Sequence, residues 1–244
     1  MINRIIVKGE RCSGTNYLRS LIQTNFKNIM LSNELGWKHS YLNTFNENLH
    51  KREELLVLII FRNPYEWLNS LYQHPWHLRL TDGKNFLTDL SFSNFLRYNP
   101  YSNGNEGDKY KGLLDVKFME RHPFTLKYPE DVFEIRNWKI ENFLNHSEIF
   151  PNIMFIQYED LVTSTKIILD QINEKYLFKD YIFNNVDFYK GSKNAGIYKP
   201  KKYPKMSDVD FNYFLNKVDW SLEEKIGYKK TDIEILHNKL QLFD

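Results

Sequence analysis

Apolar residues recur along this chain with a period that changes from place to place, and the changes divide it into strands, helices and loops. Ile5-Ile6-Val7 is a short β-branched run that predicts a strand. It leads into Gly9, four intervening residues and Gly14, after which Leu18, Leu21 and Ile22 fall on one helix face. Asn28 to Leu31 predicts a second strand, which runs into the polar and basic stretch from Asn33 to His39. Leu55 to Phe61, LLVLIIF, is apolar without alternation, as expected of a central parallel strand covered on both faces. After it, Asn63 suits a helix cap and Pro64 a first helical turn, with Trp67, Leu68 and Leu71 at helical spacing.

From about 74 to 130 the chain is turn-rich and aromatic, with room for one helix between Phe86 and Tyr98, and is expected to be an insertion over the sheet edge. Asp131 to Asn145 has helical spacing, Ile153 to Ile156 predicts a buried strand, and a helix follows through about Tyr176. A basic loop at about 189–206 carries Lys190, Lys193, Lys199, Lys201, Lys202 and Lys205 among glycines and prolines. Helical stretches at 208–218 and 221–226 precede what the pattern gives as a polar tail. Strands alternating with helices predict an α/β fold, three-layer αβα with a central mainly parallel sheet, as a single domain over 1–244.

Composition narrows the partners. With 33 Lys and Arg against 31 Asp and Glu in 244 residues, nothing marks a nucleic-acid partner. No run approaches membrane-spanning length and no charged-then-apolar leader opens the chain, so a cytoplasmic protein without a transmembrane segment is expected. The single cysteine, Cys12, fits a reducing compartment. His74 and His77 flank Pro75 and Trp76, and with one cysteine in the chain no metal is expected.

The stretch IIVKGERCSGTNYL, Ile5 to Leu18, carries the clearest chemistry. A tight loop between a strand and a helix start offers unpaired backbone N–H groups and the positive end of a helix dipole, which suits a phosphate. Gly9 and Gly14 frame a P-loop-like phosphate-binding loop, but Thr15 and Asn16 stand where a nucleotide triphosphatase has Lys and Ser or Thr. The cradle is therefore expected to hold a phosphorylated ligand without the usual ATP and magnesium chemistry.

Three segments, in this order, resemble the sulfotransferase family that uses 3′-phosphoadenosine 5′-phosphosulfate as donor. They are Ser13-Gly14-Thr15-Asn16-Tyr17-Leu18, then Arg62-Asn63-Pro64 with Ser70 beyond, then Tyr158-Glu159-Asp160-Leu161. The stretch WSLEEKIGY, Trp220 to Tyr228, is similar to a common family ending. The resemblance implies that Ser13, Gly14, Thr15 and Asn16 bind the 5′-phosphate and that Tyr17 stacks near the adenine. It implies that Arg62 and Ser70 bind the 3′-phosphate, that Tyr158 touches the adenine, and that Lys190-Gly191 is a shortened form of a late phosphate clamp. Where the family has Lys or Arg before Ser-Gly-Thr, this chain has Cys12; Arg11, Lys8 and Lys38 are the candidates to replace it.

Sulfuryl transfer to a hydroxyl needs a base, cations for the departing phosphate and in-line placement. His39 is the favoured base, beside Lys38 at an expected strand end, with Glu34 and Glu10 as alternatives. Trp76, Phe86, Tyr98 and Tyr101 could form the wall for a small-molecule or glycan acceptor, of which a carbohydrate hydroxyl is the expected one. The competing expectations are a catalytically inactive nucleotide-binding regulatory module and a nucleotide kinase with a degenerate P-loop. Cys12 as a nucleophile lacks a visible partner base.

Overall fold

The computed structural model describes residues 1–42, 52–74, 90–97, 121–127, 129–186 and 203–240. The chain divides into two compact units, Met1–Asn63 with Phe143–Lys202, and Pro64–Asn142 with Tyr203–Asp244. The fold is α/β. The first unit holds a sheet of four parallel strands in the order β2-β1-β3-β4, with helical residues packed on both faces.

Strand β1 is Arg4–Gly9, β2 is Met30–Leu31, β3 is Leu55–Phe61 and β4 is Ile153–Gln157. Ile5 pairs with Leu56 and Val7 with Leu58, so these four side chains share one face. Helix α1, Thr15–Asn25, lays Leu18, Leu21 and Ile22 on that face, each with almost no exposure. Burying each contributes roughly 1.5–3 kcal/mol, which is what fixes the helix against the sheet. Leu161, Leu169 and Ile172 extend the same core from α5, Tyr158–Thr163, and α6, Thr165–Tyr176. On the opposite face Phe61 meets Phe143, from the last turn of α4, Val132–Asn145.

The second unit contains α2, Pro64–Gln73, α3, Phe92–Arg97, most of α4, and the helices that follow residue 203. Pro64 opens α2, and Trp67, Leu68 and Leu71 are among its buried positions. Helix α7, Asp208–Lys217, is capped by Ser207, whose hydroxyl oxygen accepts from Asp210 N. Helix α8, Trp220–Lys225, is capped by Asp219, whose carboxylate accepts from Ser221 N and Leu222 N. Tyr65 sits buried among Phe211, Phe214 and His237.

Three expectations change. The second strand is two residues rather than four, because Asn28 turns into the left-handed region at φ 60° and its amide binds Asp180 Oδ2 at 2.8 Å. The helix after β4 is two helices broken at Ser164, φ −134°, where the hydroxyls of Thr163 and Thr165 bond carbonyls one turn back. The polar tail contains a helix, α9, Lys230–Lys239, with only Ile233 and His237 turned inward, too few apolar positions to show a period. Trp76, Phe86, Tyr98, Tyr101, His77, Lys190 and Gly191 lie outside the described residues, as does most of the basic loop.

Candidate functional site

Because the four strands are parallel, the segments that follow β1, β3 and β4 leave the sheet at the same, carboxyl end, where open α/β sheets bind ligands. Each segment carries one of the motifs. The loop after β1 is closed on itself by Ser13, whose N–H and hydroxyl both donate to Glu10 O, at 3.4 and 2.6 Å. Gly9 must be glycine, since a Cβ there would lie 2.4 Å from Ile60 O across the strand pair. Cys12 at φ 62° and Gly14 at φ 95° are both left-handed, and α1 starts directly after Gly14 with no side chain capping it. The helix thus presents the positive end of its dipole and its first-turn amides without a capping side chain.

Tyr158 joins this loop to the end of β3. A Cβ on Gly14 would stand 2.4 Å from Tyr158 Cδ2, so the ring rests directly on the glycine. The Arg62 guanidinium lies over the other partner of the contact, with its Cζ 4.6 Å from the Tyr158 ring centroid, and its Nη1 donates to Cys12 O at 3.5 Å. The motif residues next to these two are also joined: Glu159 Oε1 accepts from Asn63 N at 3.0 Å and from Asn63 Nδ2 at 2.6 Å. That clamp fixes the chain as it leaves β3, and its only trace in the sequence is the acid beside Tyr158 and the amide beside Arg62.

The segment between β2 and residue 42 brings in the remaining candidates. Gly9 N donates to Lys38 O at 3.1 Å, and His39 Nδ1 donates to Gly9 O at 2.9 Å. A carbonyl can only accept, so the neutral His39 ring carries its proton on Nδ1 and its lone pair on Nε2. The ring also meets Trp37 edge-on at 4.7 Å. Lys38 Nζ donates to Asn16 Oδ1, and burial, followed by the nearby charge of Arg19, pushes its pKa down to about 8. Arg11 is buried with its guanidinium 5.2 Å over the Trp37 ring.

The chain matches no family model, no curated protein and no solved structure.

The other candidates divide between the loop and places away from it. Glu34 is paired with Arg4 at 2.6 Å, at the opposite end of β1 from the loop, which removes it as an alternative base. Lys8 is fully buried and donates to Leu35 O, Trp37 O and Ser40 Oγ at 2.7 to 2.8 Å, so its three protons are spent on that segment and it is not a replacement for the cation missing at Cys12. Glu10 is buried in the loop, and its carbonyl serves Ser13. Tyr17 packs in the core, with its hydroxyl 3.2 Å from Thr165 Oγ1. Thr15 is buried in the first turn of α1. Ser70 is buried on α2, in the second unit. Among the described residues no three His, Cys, Asp or Glu side chains are grouped to hold a metal, and no helix is long and apolar enough to cross a membrane.

Proposed function

We propose that this chain is a sulfotransferase that moves a sulfuryl group from 3′-phosphoadenosine 5′-phosphosulfate to a hydroxyl, most simply that of a carbohydrate. In this reading the loop from Glu10 to Gly14 is a P-loop-like cradle within a three-layer αβα domain. The observation that carries it is the meeting of Arg62, Tyr158 and the loop, 4.6 Å between the guanidinium and the ring and direct contact between the ring and Gly14. A cation and an uncapped helix start held around one aromatic ring suit a nucleotide with phosphates at two positions.

The residues divide the work as follows. The amides at the start of α1, with Thr15 and Asn16, take the 5′-phosphate while Ser13 holds the loop closed on Glu10 O, and Arg62 takes the 3′-phosphate by charge-assisted contact. Tyr158 supports the adenine side. His39 Nε2 accepts the proton of the acceptor hydroxyl while that oxygen bonds to sulfur and the bond from sulfur to the 5′-phosphate oxygen breaks. Adenosine 3′,5′-bisphosphate is the leaving group. Lys38 and Arg11 supply the positive charge that the position of Cys12 does not.

Lys38 makes binding of that product depend on pH. Its ammonium is charged below about 8 and neutral above, so its attraction for a phosphate is present at neutral pH and lost as pH rises through that value. Calorimetry between pH 7 and 9 should show affinity for adenosine 3′,5′-bisphosphate falling by about tenfold, the order of one charged hydrogen bond, and Lys38→Met should flatten the dependence.

Incubating the protein with donor carrying labelled sulfate and a pooled glycan mixture tests the activity itself. Label on glycan with wild type, and none with Arg62→Ala, is the expected result. Binding of the donor without transfer would instead favour a regulatory nucleotide-binding module, a reading that Cys12 in place of a basic residue supports.

A further inference from the structure

We propose that Lys8 is a positioning residue for His39, setting the segment from Leu35 to Ser40 at the height where the imidazole meets Gly9. The proposal rests on the reading of His39 as the base.

Lys8 lies on β1 between Val7, which faces α1, and Gly9, which opens the loop. By the alternation of a strand its side chain leaves from the face opposite α1, and it is 0% exposed. A buried ammonium is costly unless every proton is bonded, and here all three have acceptors: Leu35 O at 2.7 Å, Trp37 O at 2.8 Å and Ser40 Oγ at 2.8 Å. Two of these acceptors bracket Lys38 and His39 in sequence. Trp37 O also accepts from Ser40 N at 2.9 Å and from Ser40 Oγ at 2.7 Å, so the amine seals a turn with Lys38 and His39 at its centre.

The next residue on the strand completes the hold. Gly9 gives its N–H to Lys38 O and takes His39 Nδ1–H on its carbonyl. Lys8 therefore fixes the outer side of the turn while Gly9 fixes the inner side, and the imidazole reaches the Gly9 carbonyl only while both hold. The consequence is chemical as well as steric. That carbonyl is what keeps the proton on Nδ1 and the lone pair on Nε2, so a loosened turn releases the tautomer. Lysine is suited to this place because its tip carries three donors that diverge from one atom, whereas the planar fork of arginine cannot aim at the same three acceptors.

Nitrogen-15 NMR of the histidine rings in the labelled full chain tests the proposal, read above the pH at which His39 titrates. The wild type should show His39 as the Nδ1–H form. Lys8→Met should shift it to a mixture with the Nε2–H form, with kcat of sulfuryl transfer falling more than KM for the donor changes. Ser40→Ala removes one of the three acceptors and keeps the other two, and should move the tautomer in the same direction by less. A retained Nδ1–H form in a folded Lys8→Met protein, or in Ser40→Ala should Lys8→Met not fold, would overturn the positioning role. Failure of the wild type to bind adenosine 3′,5′-bisphosphate would sink the sulfotransferase reading separately, since the tautomer measurement does not depend on turnover.

Discussion

Replacing His39 by Ala is expected to slow the proposed sulfuryl transfer by about 100-fold or more while leaving binding of the proposed donor nearly unchanged. The size follows from the role: a positioned base removes the acceptor proton in the transition state, and water in its place is both less basic and less well aimed. The separation of turnover from binding follows from the geometry. His39 is tied to Gly9 O by Nδ1 and flanked by Trp37, while Arg62 and Tyr158 meet the loop at Cys12 and Gly14. Steady-state kinetics should therefore show kcat falling with KM for the donor little altered. A turnover near that of wild type would refute the assignment and direct attention to the buried Glu10.

Replacing Glu223 by Ala is expected to destabilise the fold by about 3–5 kcal/mol, the usual cost of stranding one partner of a buried ion pair. Glu223 and Arg136 are both essentially without exposure, at 0% and 1% for their side chains. The carboxylate accepts from Arg136 Nε and, through its second oxygen, from Nη2 at 2.8 Å, a forked arrangement with the guanidinium 4.8 Å over the Trp67 ring. Removing the carboxylate takes both forked hydrogen bonds and the paired charge of Glu223 away from a buried guanidinium. Urea unfolding should show the loss in full for Glu223→Ala, and much of it should be recovered in the double variant Arg136→Met with Glu223→Leu, which removes both charges. Additive losses in the double variant would show that packing, not the stranded charge, sets the cost.

Glu223 also marks where the sequence stopped being informative. Trp220 to Tyr228 was visible as a familiar pattern, but a partner 87 positions away on α4 leaves no local mark. Elements with a dense apolar signal were legible in full: Leu55–Phe61 is a strand at the expected bounds, because seven buried apolar residues in succession leave no other use for them. Pro64 and the spacing of Trp67, Leu68 and Leu71 likewise announced α2. Helix α9 was not legible, since two inward residues in ten do not make a period. Lys8 could not be distinguished from a ligand-binding cation, because a lysine before a glycine-rich loop gives no indication of which side of the strand it leaves or what it meets there. His39 and Lys38 were legible as chemistry but not as geometry; their attachment to Gly9 and Asn16 depends on a turn whose anchor, Lys8, lies some 27 to 32 residues earlier.

In the proposed function the start of α1 and Arg62 hold the two phosphate positions of one nucleotide. Calorimetric titration of the full chain with adenosine 3′,5′-bisphosphate, set beside ATP with magnesium, tests it most directly. Metal-independent binding of the bisphosphate, weaker binding of ATP, and a loss of roughly 10- to 100-fold for the bisphosphate in Arg62→Ala, the order of one charged hydrogen bond, are the expected results. Preference for ATP with magnesium, or equal affinity for the bisphosphate with and without Arg62, would contradict it.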